Sequence, residues 1–153
     1  MWSPARRLQL DVHPFPIVVA TFHDQWSSPD LVWLFEEFEL LFKRGRRYAL
    51  VIDTIRASNP PNVVERKLIT DWENVNAEAI VHCNVGTAVV FTSALIRGSL
   101  TALGWLVHRK RPLVYLPSTS EAGRWCVERL READVPLSSE ARGYLFTRGV
   151  DLT

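Results

Sequence analysis

The stretch Tyr48-Ala49-Leu50-Val51-Ile52-Asp53 decides the fold class of this chain. An uninterrupted hydrophobic run that ends in an acid is typical of a parallel strand that is buried on both faces and ends at a sheet edge. Two later runs, at 86–91 and 113–116, have the same apolar character. The sequence therefore predicts a sheet whose central strands run parallel.

Helices are predicted between and after these strands, because the intervening stretches begin with helix-capping signals. Ser28-Pro29 is one such signal, and two capping boxes pair Asn62 with Glu65 and Ser118 with Glu121. The predicted helices span 28–44, 62–79, 93–108 and 118–133. Since strands and helices alternate along the chain, the crossovers between parallel strands are expected to be right-handed.

The spacing of apolar residues predicts which face of the first two helices is buried. In the first helix, the core face consists of Leu31, Leu34, Phe35, Phe38, Leu41 and Phe42. In the second helix, it consists of Val64, Leu68, Trp72, Val75 and Ala79. Trp33 and Leu40 lie seven residues apart, on the side roughly opposite the core face of the first helix. This pair predicts contact with a partner or with the C-terminal tail, although scattered exposed apolar residues are also normal.

The N-terminal part predicts a hairpin. Apolar and polar residues alternate over 8–13, a second strand covers 17–22, and Pro14-Phe15-Pro16 forces a turn between them. The whole pattern predicts an α/β fold with a mixed sheet of about five strands, an N-terminal hairpin and about four helices. Residues 1–136 form a single domain in this interpretation, and 137–153 form a tail that docks on the domain or on a partner.

The composition limits the class of protein. The chain has 153 residues, of which 47% are hydrophobic and 23% charged. These values fit one globular domain and exclude a disordered chain. The chain has 18 basic and 17 acidic residues, for a net charge of +1. The overall charge therefore favours binding neither to nucleic acid nor to an anionic membrane.

The expected location is the cytoplasm, and no membrane insertion is predicted. Pro14 and Pro16 interrupt the N-terminal region, so no secretory signal is expected. The most apolar stretch, 94–107, is too short to span a bilayer. Two cysteines, Cys83 and Cys126, are too few for a disulfide framework or a zinc site, which suggests a reducing compartment. The sequence does not exclude one disulfide between them.

Five stretches within residues 8–133 carry a family resemblance. They are 48–53, the Pro60-Pro61 loop, 66–72, 83–91 and 93–103. In combination they resemble the STAS-like proteins, in particular the bacterial anti-anti-sigma-like branch, also described as STAS/SEC14-like. The resemblance implies a small mixed sheet with helices packed mostly on one side. It also implies a binding or regulatory module rather than an enzyme.

The chain departs from this family at its phosphorylation site. Anti-anti-sigma members carry a phosphorylatable serine in an Asp-Ser-Ser-Gly-type turn before the second helix. Here that motif is missing from 53–61, where Ser58 is the nearest hydroxyl and is followed by Asn59-Pro60-Pro61. We therefore expect Ser58 not to be the centre of a phosphorylation switch, and retain it only as a candidate for ligand or partner contact.

Two regions supply the other candidate contact residues. Asp53 ends a strand, and open α/β sheets bind ligands beyond the carboxyl ends of their strands, although Asp53 alternatively bonds its own loop. The predicted helix at 93–108 begins at Ser93 and places Arg97 opposite its apolar arc. Arg97 suits an anion or a carboxylate, or caps a neighbouring loop. Thr101 and His108 lie on the same side of that helix.

The sequence predicts a non-catalytic interaction or regulatory module, with a protein partner or a second copy of itself and no nucleic acid. No enzyme, metal or cofactor is predicted, because no nucleophile–base set, ligand cluster or phosphate-binding glycine loop is found. The alternative is a sensor of a small apolar or nucleotide-like ligand near Asp53, Ser93 and Arg97.

Overall fold

A five-stranded mixed sheet forms the centre of the fold in the computed structural model, which describes residues 7–91 and 112–152. The strands are β1 Leu8–Asp11, β2 Ile17–Phe22, β3 Tyr48–Asp53, β4 Asn84–Val90 and β5 Leu113–Leu116. They lie side by side in chain order. β1 pairs antiparallel with β2, and every other neighbouring pair is parallel. The predicted α/β class, the mixed sheet and the N-terminal hairpin are confirmed.

The helices of the described residues are α1 Ser28–Arg44, α2 Val63–Val75, α3 Ala77–Cys83, α4 Thr119–Glu132 and α5 Ser139–Thr147. The predicted second helix is divided at Asn76, whose Nδ2 donates to the Trp72 carbonyl oxygen at 3.0 Å. The helix α5 lies in the region predicted as the tail. The helix predicted at 93–108 lies outside the described residues.

Local capping determines where α1 begins and ends. The N-cap is Ser27, whose backbone N–H donates to Asp30 Oδ2 at 3.0 Å, one residue before the predicted start signal. At the other end, Gly45 has φ 67° and donates its N–H to the Phe42 carbonyl oxygen at 3.0 Å. Glycine adopts this left-handed conformation at little cost, so the helix ends where the sequence predicts.

Both faces of the sheet are covered by helices. Tyr48 and Leu50 of β3 point into a first core cluster with α1, whereas Ala49 and Val51 point into a second cluster with α4 and α5. This arrangement differs from helices packed mostly on one side, which the family resemblance implies. The helix α4, which follows the edge strand β5, packs against β3 and β4 on the face opposite α1. Burial on both faces explains the continuous apolar strands.

The predicted core face of α2 is wrong in part. Trp72 packs against the first cluster, but Val64 and Val75 are 63% and 85% exposed. The buried residues of this helix include Glu65 and Glu73. The helix is therefore rotated from the expected position, so that two acidic residues point inward and two valines point outward.

Candidate functional site

The carboxyl edge of the sheet holds Asp53 and Thr54. Asp53 is half-buried, and its Oδ1 accepts the N–H of Ile55 at 3.0 Å. Thr54 is buried, and its Oγ1 donates to the Val90 carbonyl oxygen at 2.8 Å. Both side chains thus stabilise the turn after β3, and a ligand contact by Asp53 stays a prediction.

Ser58 is exposed in the loop between β3 and α2. A reciprocal pair of hydrogen bonds holds this loop: Trp26 Nε1 donates to the Asn59 carbonyl oxygen at 3.1 Å, and Asn59 Nδ2 donates to the Trp26 carbonyl oxygen at 3.2 Å. Ser58 and Asp53 therefore lie on the same connection after β3. The other predicted contact residues, Ser93, Arg97, Thr101 and His108, lie outside the described residues.

The predicted interface pair on α1 is exposed unequally. Leu40 is 54% exposed. Trp33 is half-buried and packs against the first core cluster. Of this pair, Leu40 is therefore the more exposed, because the larger Trp33 side chain partly covers the cluster. Whether the two residues contact a partner stays a prediction.

The two cysteines are free and buried, and His82 beside Cys83 is exposed. Burial raises the pKa of Cys83. Burial raises the pKa of Cys126 to about 12, against the opposing positive charge of Arg129. Both thiols are therefore protonated at neutral pH, and a protonated thiol is a poor nucleophile.

We expect both thiols of the native chain to react with a thiol reagent far more slowly than free cysteine does. After unfolding in guanidinium, both thiols are expected to react as fast as free cysteine. The unfolded thiol ionises near pH 9, while that of folded Cys126 stays protonated up to about pH 12. The stability that Cys126 contributes is thus present below pH 9 and is lost as the pH rises from 9 towards 12. A rapid native reaction assigned to Cys126 by mass spectrometry contradicts this burial.

An exposed surface lies on α5 and the segment after it, within the tail at 137–153 that the sequence predicts to dock on the domain or on a partner. Ala141 and Leu145 are fully buried in the second core cluster, yet the adjacent Phe146 is 82% exposed. Phe146 borders a groove of about 680 Å³. Its other lining residues are Arg142, Gly143, Gly149, Val150, Asp151 and Leu152.

A second groove of about 280 Å³ shares Val150, Asp151 and Leu152 with the first. Its remaining lining residues are Arg124, Trp125, Val127, Glu128 and Arg131, all from α4. We call the residues of the two grooves together the α4–α5 surface. The segment 150–152 connects the two grooves, so a single partner is able to contact both.

Five of the twelve residues of the α4–α5 surface are arginine or aromatic, and further arginine–aromatic pairs lie on the same two helices and directly after α5. The Arg129 guanidinium lies 5.3 Å from the centre of the Trp125 ring, and that of Arg148 lies 4.9 Å from the Tyr144 ring. Arg142, in the groove beside Phe146, is exposed. Arginine and aromatic residues are enriched in protein–protein interfaces. The surface thus has the composition of a protein contact.

Within residues 7–91 and 112–152, histidine, cysteine, aspartate and glutamate side chains form no group of three or more that is suited to a metal ion. In the same residues, no helix has both the length and the apolar character needed to cross a membrane.

Comparison with known proteins found no match for this chain among protein-family models, curated proteins or solved structures.

Proposed function

We propose that this chain is a non-catalytic, STAS-like interaction module that binds a protein partner through the α4–α5 surface. The observation that carries the proposal is the 82% exposure of Phe146 at the border of an open groove. Burying a phenylalanine side chain against a partner contributes about 1.5–3 kcal/mol. In the isolated chain most of this gain is unused, so Phe146 is better suited to binding than to folding.

The non-catalytic part of the proposal is supported by the use that the fold makes of its polar groups. Thr54 and Asn59 bond to backbone carbonyl oxygens, and Asp53 accepts a backbone N–H. The thiols of Cys83 and Cys126 are buried and protonated. These groups stabilise the fold, and a regulatory role agrees with what the family resemblance implies.

Site-specific crosslinking tests the proposed surface. A photoreactive phenylalanine analogue placed at position 146 is expected to give one predominant adduct on illumination of native host cells, because the side chain lies within the contact. A matched control carries the same analogue at Val63, which is 72% exposed but lies on α2, on the other face of the sheet. The control is expected to give no such adduct.

The mass of the adduct identifies the partner class. A second copy of this chain adds 17.5 kDa, whereas another protein adds its own mass. Either result supports an interaction module. Equal and diffuse labelling from positions 146 and 63 contradicts the proposed surface.

A further inference from the structure

A basic cluster lies at the amino edge of the parallel strands, where α1 ends and β3 begins. Lys43 and Arg44 form the last turn of α1, and Arg46 and Arg47 follow Gly45. All four cationic side chains are exposed. The described residues hold ion pairs elsewhere, on α2 and α4, but none of these four side chains pairs with an acid of those residues.

Arg46 and Arg47 line a groove of about 470 Å³, which we call the amino-edge groove. Its other walls are Phe15 and Pro16 from the hairpin turn and residues 133–138 between α4 and α5. It shares no residue with the α4–α5 surface. An inference about this groove therefore goes beyond the proposed function and does not depend on it.

The two arginines are positioned by neighbouring groups that do not neutralise them. The Arg46 guanidinium lies 5.2 Å from the centre of the Phe15 ring. Arg47 Nη1 donates to the Ala133 carbonyl oxygen at 3.4 Å. The acidic residue of the lining is the exposed Asp134. The partial negative charges at the C-terminal ends of α1 and α4 offset the arginines only partly, since a helix end carries about half a charge.

Apart from Asp134 and Ser138, the remaining lining of the groove is apolar. Val135 and Leu137 are half-buried and pack against the second core cluster. Ser138 Oγ donates to the Phe15 carbonyl oxygen at 2.5 Å, which ties the 133–138 segment to the hairpin turn. The groove therefore combines two exposed guanidinium groups with an apolar wall.

We infer that the amino-edge groove binds an acidic peptide segment of another protein. Two carboxylates of the peptide pair with Arg46 and Arg47. An apolar side chain of the peptide, between the two acidic residues, packs against Val135 and Leu137. Arginine binds carboxylates through paired N–H donors, which gives such a contact its orientation. A single inorganic anion leaves most of the apolar wall uncovered. Proteins that bind single-stranded nucleic acid stack its bases on aromatic faces, and Arg46 already lies over one face of Phe15.

Selection from a library of short random peptides displayed on phage, with the full chain as bait, tests this inference. Peptides enriched on the wild type are expected to carry two acidic residues flanking an apolar one. Their Kd is expected to rise about tenfold in Arg46→Gln/Arg47→Gln, because two charged contacts are lost while the side-chain stems remain. The control Arg56→Gln/Lys67→Gln removes the same charge from exposed positions outside the groove and is expected to leave Kd unchanged.

Thermal unfolding is expected to show that both double variants are folded, because the four substituted side chains are exposed in the wild type. The inference is overturned if no peptide is enriched, if the enriched peptides lack acidic residues, or if both double variants bind them equally. Competition by inorganic phosphate at the same concentration as the peptide assigns the groove to a small anion instead. Tighter binding of single-stranded DNA that depends on Arg46 and Arg47 also overturns the assignment.

Discussion

Replacing Leu145 by alanine is expected to lower the free energy of unfolding by about 2–5 kcal/mol, the usual cost of a large-to-small change in a core. Leu145 has no exposed surface and lies in the second core cluster. A Cβ built on Gly123 of α4 would lie 3.0 Å from Leu145 Cδ2, so the two helices are in close contact there. For a domain of this size, each kcal/mol lowers Tm by about 2–4 °C.

The neighbouring residue provides the matched control. Phe146→Ala removes a larger side chain, but one that is 82% exposed, so we expect a change within about 0.5 kcal/mol. Denaturant unfolding of the two variants under the same conditions measures the difference. If Leu145→Ala is as stable as the wild type, then Leu145 and α5 are not part of the folded core.

Gly86→Ala is expected to destabilise the chain by about 1–3 kcal/mol, because it overpacks a central strand. A Cβ at position 86 of β4 would lie 2.7 Å from Trp125 Cη2 and 2.9 Å from Arg129 Cγ. One of these side chains must move, and Trp125 then loses its packing on the sheet. The loss of stability is measured by thermal or denaturant unfolding.

Gly143→Ala is the control of opposite sign. Gly143 lies within α5, and a Cβ there meets no atom within 4 Å. Because glycine in a helix interior costs about 1 kcal/mol relative to alanine, this variant is expected to be more stable than the wild type. Equal effects of the two substitutions contradict the close contact between α4 and β4.

The strands were predictable because their signal is local. β2 and β3 begin and end at the residues that the sequence predicts, since both are uninterrupted apolar segments with clear boundaries. The capping box of α2 is also present: the Glu65 N–H donates to Asn62 Oδ1 at 2.8 Å, and the Asn62 N–H donates to Glu65 Oε1 at 2.9 Å. Such contacts involve residues three positions apart and need no knowledge of the tertiary structure.

The rotation of α2 and the existence of α5 were not predictable in this way. Hydrophobic periodicity assigns glutamates to the outer face, but Glu65 is buried, and its carboxylate accepts the N–H of its exposed capping partner Asn62. The nine-residue α5 has four apolar residues, and contact with α4 determines which of them are buried. Nothing local to Leu145 and Phe146 shows that the first points inward and the second outward.

The two grooves of the α4–α5 surface and the amino-edge groove were not predictable from the sequence for a related reason. The α4–α5 surface joins α4 to the segment 150–152, and the amino-edge groove joins Phe15, Arg46 and residues 133–138. These segments are far apart in sequence and meet only through the sheet order. The residue that the sequence did mark at the carboxyl edge of the sheet, Asp53, accepts the N–H of Ile55, two positions later in the chain.

The central claim, that Phe146 serves binding and not folding, is tested most directly by measuring Tm and partner affinity in the same Phe146→Ala variant. The partner is the protein captured by crosslinking at position 146, or the chain itself if the adduct is a dimer. The account predicts an unchanged Tm and a Kd at least about tenfold higher, as for an interface hot spot. A clearly lower Tm with an unchanged Kd contradicts it and makes Phe146 a structural residue.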